Sequence, residues 1–234
     1  MDIPILFEDD HILIIDKPAG LLSTGGGFTK DLPYLQGMLE PKVGRLWLVH
    51  RLDRDTSGVM ILAKTADSHR TLNLAFDHRE IQKTYLAIIL GNPDWTSYDC
   101  DLPLKVDGDR AHRTRITEDG KPATTSFQVL QSFSDTSLVQ AKPHTGLTHQ
   151  IRAHLSGLNH PILMDDLYTF SEMRSLYQGV LDDPVVNASI HRIALHALQV
   201  EFIHPVLQTP ISVQAPLPAD MSGTIKHLQA ASGQ

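Results

Sequence analysis

Residues 49–64 read VHRLDRDTSGVMILAK. The apolar run Leu46, Trp47, Leu48 and Val49 leads into this stretch, and Val59, Met60, Ile61, Leu62 and Ala63 lead out of it, so the pattern is strand, polar loop, strand. The loop is held from both sides. Within it Arg51 and Arg54 bracket Asp53, and Asp55, Thr56, Ser57 and Gly58 complete a turn. Nearby cations favour the charged form of a carboxyl group, so Asp53 is read as ionised and available as a nucleophile or a base. The bland alternative is a surface ion pair in an ordinary Thr-Ser-Gly turn, and spacing alone does not choose between the two.

The nine-residue segment HRLDRDTSG, His50 to Gly58, closely resembles the signature of the RluA-type pseudouridine synthases. Two further motifs follow in that family's order. The family's K-x-Y matches Lys83 and Tyr85, at the start of the apolar run 82–90, and KPHTGLTHQIRAHL, residues 142–155, matches its third motif. A short K-P-x-G turn, Lys17 to Gly20, precedes them. The resemblance covers roughly residues 3–215, and the sequence departs from it at Leu147, where relatives carry arginine, and at Met164, where they carry glycine.

This resemblance implies isomerisation of a uridine within RNA, rRNA or tRNA: the N-glycosidic bond breaks, the uracil turns, and its C5 joins the ribose carbon. No cofactor or metal is implied. Asp53 would be the catalytic nucleophile or base, acting on the sugar or on the uracil, and Arg152 would pair with it and orient it through a charge-assisted contact. Tyr85 would stack on the flipped base, which needs an aromatic face to replace its lost neighbours. His50, Arg51, Arg54 and Lys83 are the motif residues assigned to RNA. A catalytically inactive RNA-binding protein of the same fold is the alternative, supported only by Leu147 and Met164. A hydrolase using Asp53 with His50 would lack the family's order of motifs.

Bulk properties bound the rest. At 234 residues, with 41% hydrophobic and 20% charged residues, the chain is ordinary for a globular protein, and no apolar run approaches the ~20 residues that cross a bilayer. The N-terminus MDIPILFEDD is acidic where a signal peptide would be basic, so a soluble cytoplasmic protein is expected. The single cysteine excludes an internal disulfide. A net charge of −7 argues against a nucleic-acid partner when taken alone, but distribution matters more than the sum. Lys42, Arg45, Arg51 and Arg54 stand against Asp53 only, and Lys105, Arg110, Arg113 and Arg115 stand against Asp107 and Asp109.

Elsewhere the pattern predicts strands at 3–7, 11–16, 82–90, 195–203 and 210–213. It predicts helices at 31–39, 66–79, 148–157 and 222–230. Hairpin signals separate strands at 100–104, 112–117, 124–133 and 138–142. Arg113 and Arg115 would then share one strand face, toward phosphate or toward solvent. Gly25-Gly26-Gly27 lacks the P-loop spacing and reads as a flexible loop, and residues 170–190 are ambiguous. His144, His149 and His154 recur every five residues, which scatters them around a helix, so no metal site is expected. The fold class is therefore α+β, with a central mixed, mainly antiparallel sheet flanked by helices and an active-site cleft across it. A single catalytic domain over 1–234 is expected, a monomer with neither a separate N-terminal RNA-binding domain nor an implied protein partner.

Overall fold

The computed structural model describes residues 2–25 and 33–233. In chain order the elements begin with β1 (Ile5–Glu8), β2 (Ile12–Lys17), α1 (Leu35–Val43), β3 (Trp47–Leu48), β4 (Ser57–Ala63) and α2 (Ala66–Asp77). Next come β5 (Gln82–Leu90), β6 (Ser97–Cys100), β7 (Leu104–Lys105), β8 (Arg115–Ile116), β9 (Thr125–Ser132) and β10 (Thr136–Pro143). The chain closes with α3 (Gln150–Gly157), α4 (Ser171–Leu176), α5 (Gln178–Leu181), α6 (Pro184–Ser189), β11 (Leu195–Ile203), β12 (Pro210–Gln214) and α7 (Ala219–Ala231). Two compact units result, one of residues 1–83 and 197–216, the other of residues 84–196 and 217–234.

The first unit is built on β4. Every residue of this strand is buried, as a near-continuous apolar run demands. Strand β2 lies antiparallel between β1 and β4, with Ile14 opposite Ile61 and Lys17 opposite Gly58. Strand β3 pairs with the far end of β4, Leu48 opposite Leu62, so residues 49–56 form the loop of a hairpin whose two strands anchor it. Helix α2 starts where Thr65 accepts a hydrogen bond from the Ser68 amide, and its apolar face sets Leu72 against Ile12, Ile61 and Phe202.

The second unit has the strand order β5-β10-β9-β6, antiparallel throughout. Its core joins Ile88, Phe127, Val139, Leu155, Ile190 and Met221. Ile151 and Leu155 are buried as their i, i+4 spacing predicts, and Leu158 packs on the same core. In both units antiparallel strands and helices follow the α+β expectation, and no helix among the described residues is long and apolar enough to cross a membrane.

Several boundaries differ from expectation for local reasons. Helix α1 begins at Leu35, after Pro33, and Asp31, the expected cap, lies outside the described residues, as does most of the glycine loop. The 112–117 strand shrinks to Arg115–Ile116 because His112 takes φ 55°, which no strand accommodates. Arg113 and Arg115 therefore do not share a strand face. Arg113 instead donates Nε to Asp109 at 2.6 Å and lies 5.0 Å from the centre of the Phe170 ring. The ambiguous 170–190 segment forms the three short helices α4, α5 and α6, the last capped by Asp183.

Candidate active site

The loop of Asp53 is fixed through its neighbours' backbone. Leu52 is buried, and Ser23 Oγ donates to its carbonyl at 2.8 Å while accepting from its amide at 3.2 Å. On the other side the Arg54 carbonyl accepts from the Gly20 amide at 2.8 Å and from Lys17 Nζ at 3.0 Å. The Thr56 amide closes the turn on the Asp53 carbonyl at 3.1 Å. Asp53 is half-buried, between the exposed Arg51 and Arg54. Arg54 turns away from it: Nε and Nη2 each reach a carboxylate oxygen of Asp55 at 3.0 Å, which holds the Arg54 guanidinium above its ordinary range. The flanking arginine expected to bracket Asp53 thus grips the next residue.

Lys17 is the residue that sequence reasoning undervalues. It ends β2 fully buried, and its ammonium also donates to the carbonyls of Pro18 and Leu21, both at 2.9 Å. The K-P-x-G turn is therefore a clamp on the Asp53 loop within this unit. In Lys17→Met the Arg54 carbonyl would keep the Gly20 amide, but the Pro18 and Leu21 carbonyls would lose this donor. At 1–3 kcal/mol for each orphaned acceptor, a loss of about 3 kcal/mol is expected. Denaturant unfolding checks it, and a loss below about 1 kcal/mol would rule the clamp out.

His50 is engaged inside the same unit. Its Nε2 accepts from the Ile61 amide at 2.9 Å and its ring lies 4.8 Å from that of Phe76. Desolvation, and after it the charge of Lys83, lowers its pKa to about 3. Desolvation also holds Lys83 below the usual lysine range. A ring nitrogen already occupied by a backbone donor, on a neutral imidazole, is poorly placed to act as the base of a hydrolase or to meet phosphate. His50 thus acts as a strut of the fold within this unit.

A pH dependence follows. Above the unfolded value near 6.5 both states are neutral and the full contribution of His50 to stability is present. As the pH falls from there toward 3, only the unfolded state takes up the proton, so stability declines by about 1.4 kcal/mol per pH unit. Unfolding midpoints followed between about pH 6 and pH 4 should fall less steeply in His50→Gln, whose carbonyl can still accept from Ile61. Parallel slopes in the two proteins would contradict the assignment.

In the second unit Tyr85 stands near the start of β5 opposite Ala141, half-buried against the core. Arg152, third residue of α3, donates Nε to Oδ2 of Asp165 at 2.7 Å and Nη2 to Oδ1 at 2.8 Å. The segment before α3 is stapled by Gln150. Its Oε1 accepts from Thr145 Oγ1 at 2.7 Å and the Leu147 amide at 3.1 Å, while Nε2 donates to Thr124 O and Thr125 Oγ1, both at 3.0 Å. Thr125 passes the chain to His154 Nδ1 at 2.9 Å, and His154 Nε2 donates to Leu102 O at 2.9 Å. Burial keeps this histidine below its usual pKa, hence neutral, as that donor order requires. These third-motif polar residues therefore hold the start of the helix that carries Arg152.

The two departures from the family pattern are absorbed locally. Leu147 packs on the small cluster of Leu104, Ala123, Ala153 and Tyr168. Met164 itself takes φ 62°, so the turn keeps a left-handed residue without glycine, at a cost of roughly 1–2 kcal/mol. Arg115 is exposed on β8 opposite Lys105. Among the described residues no group of three or more His, Cys, Asp or Glu side chains is placed to hold a metal.

Residues 11–157 match the family model described as RNA pseudouridylate synthase. The chain is 36% identical to the ribosomal large subunit pseudouridine synthase C of Vibrio cholerae, over 97% of this chain and 70% of that protein. It is likewise 36% identical to ribosomal large subunit pseudouridine synthase D of Xanthomonas campestris, over 100% of this chain and 72% of that one. Among solved structures, human RNA pseudouridylate synthase domain containing 4 superposes with a TM-score of 0.78 at 29% identity, covering 97% of this chain and 93% of that one. With the family model matched over residues 11–157 and relatives matched over nearly the whole chain, the protein belongs to the RNA pseudouridylate synthases, isomerases that convert uridine in RNA to pseudouridine.

Proposed function

We propose that this chain modifies uridine in large-subunit ribosomal RNA, working in the cytoplasm as a monomer whose whole length serves as one catalytic domain. The substrate class is supported by the names of relatives at about 36% identity. Asp53 is the nucleophile or base. Its loop is pinned by backbone bonds on both flanks while the side chain is left half-exposed, and this observation carries the assignment. A reactive carboxylate needs a fixed origin, because misplacement of about 1 Å can cost 10²-fold in rate.

The reaction breaks the bond from ribose C1′ to N1, rotates the uracil and joins C5 to C1′, with the C5 proton released and a proton taken up at N1, so that mass does not change. It is redox-neutral. Tyr85 gives the flipped base a stacking face, Arg152 supplies a fixed cation, and Arg51 and Arg54 support the opened RNA. Lys83, Arg113 and Arg115 are assigned to RNA beside them, Arg113 through its guanidinium stacked on Phe170 rather than through a strand face.

Pseudouridine mapping of ribosomal and transfer RNA tests this, in cells with the gene intact, deleted, or carrying Asp53→Ala. A large-subunit site lost in both altered strains is expected. Loss only from transfer RNA would refute the substrate, and a site that survives Asp53→Ala but not deletion would refute the role of Asp53. An inactive RNA-binding protein would leave every site in place.

A further inference from the structure

The Arg152 guanidinium has a buried partner. Asp165 grips its Nε edge with both oxygens, at 2.7 and 2.8 Å, with the carboxylate side chain wholly buried and that of Arg152 only 9% exposed. The ring of Tyr168 lies 4.9 Å from Arg152 Cζ. That ring is held in turn. Its hydroxyl accepts from the Thr114 amide at 2.8 Å and meets His149 Nδ1 at 3.1 Å. Asp165 sits in a turn entered through the left-handed Met164, where the Asp165 amide donates to Ile162 O at 3.1 Å and the Asp165 carbonyl accepts from the Tyr168 and Thr169 amides.

Two properties follow. The fork binds the Nε edge, and its direction is set by a planar, two-point contact that a lysine could not reproduce. A buried cation whose only partner took part in a reaction would also be stranded whenever that partner left, and stranded buried charges are costly. Asp165 takes no chemical part in the proposed reaction.

We propose that Asp165 is a positioning residue for the isomerisation, acting through Arg152 with Tyr168 as its floor: it fixes the orientation of the guanidinium and keeps that cation compensated throughout the reaction. This rests on the reading of Arg152 as part of the catalytic machinery. Because binding to RNA is dominated by phosphate contacts spread over the surface, the effect belongs in kcat rather than KM.

The test is release of tritium from large-subunit ribosomal RNA labelled at uridine C5, with kcat and KM measured for Asp165→Asn, Asp165→Glu, Arg152→Lys and Asp165→Asn combined with Arg152→Lys. In Asp165→Asn, kcat should fall on the order of a hundredfold with KM within about threefold, as for a displacement of the group it orients. Added to Arg152→Lys, the same substitution should cost less than about threefold more. If Asp165→Asn does not fold, Asp165→Glu decides, since it keeps the charge but shifts the fork: a folded variant at least tenfold slower supports the proposal, and one with the wild-type rate overturns it. Full activity in a folded Asp165→Asn, or a full additional loss on top of Arg152→Lys, likewise overturns it. Should Arg152→Lys itself retain wild-type kcat, it is the underlying reading of Arg152 that fails.

Discussion

Asp53→Asn is expected to slow pseudouridine formation by roughly 10⁴-fold or more, as loss of a nucleophile or base does, while moving the thermal midpoint by only a few degrees. Asparagine keeps the shape of the side chain and removes the negative charge and the lone pair that attacks or accepts a proton. The loop has little reason to move, because the bonds that hold it are made by backbone atoms of Leu52, Arg54 and the turn to Thr56. RNA affinity should stay within about threefold of wild type, since the phosphate contacts are unchanged. Single-turnover conversion and a binding titration on the same preparation separate the terms. A folded Asp53→Asn that still converts uridine within tenfold of the wild-type rate would remove Asp53 from the chemistry.

What is legible in the sequence is whatever depends on short range. The β4 run, the strand Leu195–Ile203 and the apolar face of α3 follow from periodicity because one buried face is enough to fix them. Asp53 is legible through its motif. The supports of the site are not, because each is a contact between distant positions. Nothing local in Lys17 says that its ammonium will meet the carbonyl of Arg54, and nothing in Arg152 says that Asp165 will hold it. The place of Lys17, closing the apolar strand Ile12–Ile15 ahead of a proline, is the only hint. The same holds for Arg113 and His50, where no local pattern shows that one will meet Asp109 and the other will accept from the Ile61 amide.

Gly58→Ala is expected to destabilise the protein by about 4 kcal/mol or more, lowering the thermal midpoint by roughly 8–16 °C at this chain length. The sequence pattern puts Ser57 and Gly58 at the close of a turn, but both already belong to β4. Glycine is required there for two separate reasons. The backbone takes φ 114°, and a Cβ at this position would stand 2.1 Å from the carbonyl oxygen of Ala197 in β11 and 2.7 Å from that residue's nitrogen. Those are backbone atoms of a paired strand, so relief requires β11 to withdraw from β4 rather than a side chain to turn aside. Gly20→Ala is the control. Gly20 also has positive φ, 82°, but nothing lies within 4 Å of the point an added methyl would occupy, so its cost should be near the ~1 kcal/mol of the backbone conformation alone. If the two substitutions proved equally mild, the close approach of β11 would be excluded as the reason for the glycine. If Gly58→Ala is the far more damaging, the last residue of the HRLDRDTSG motif is there to let a strand pass, and Asp53 five positions earlier inherits its placement from that packing.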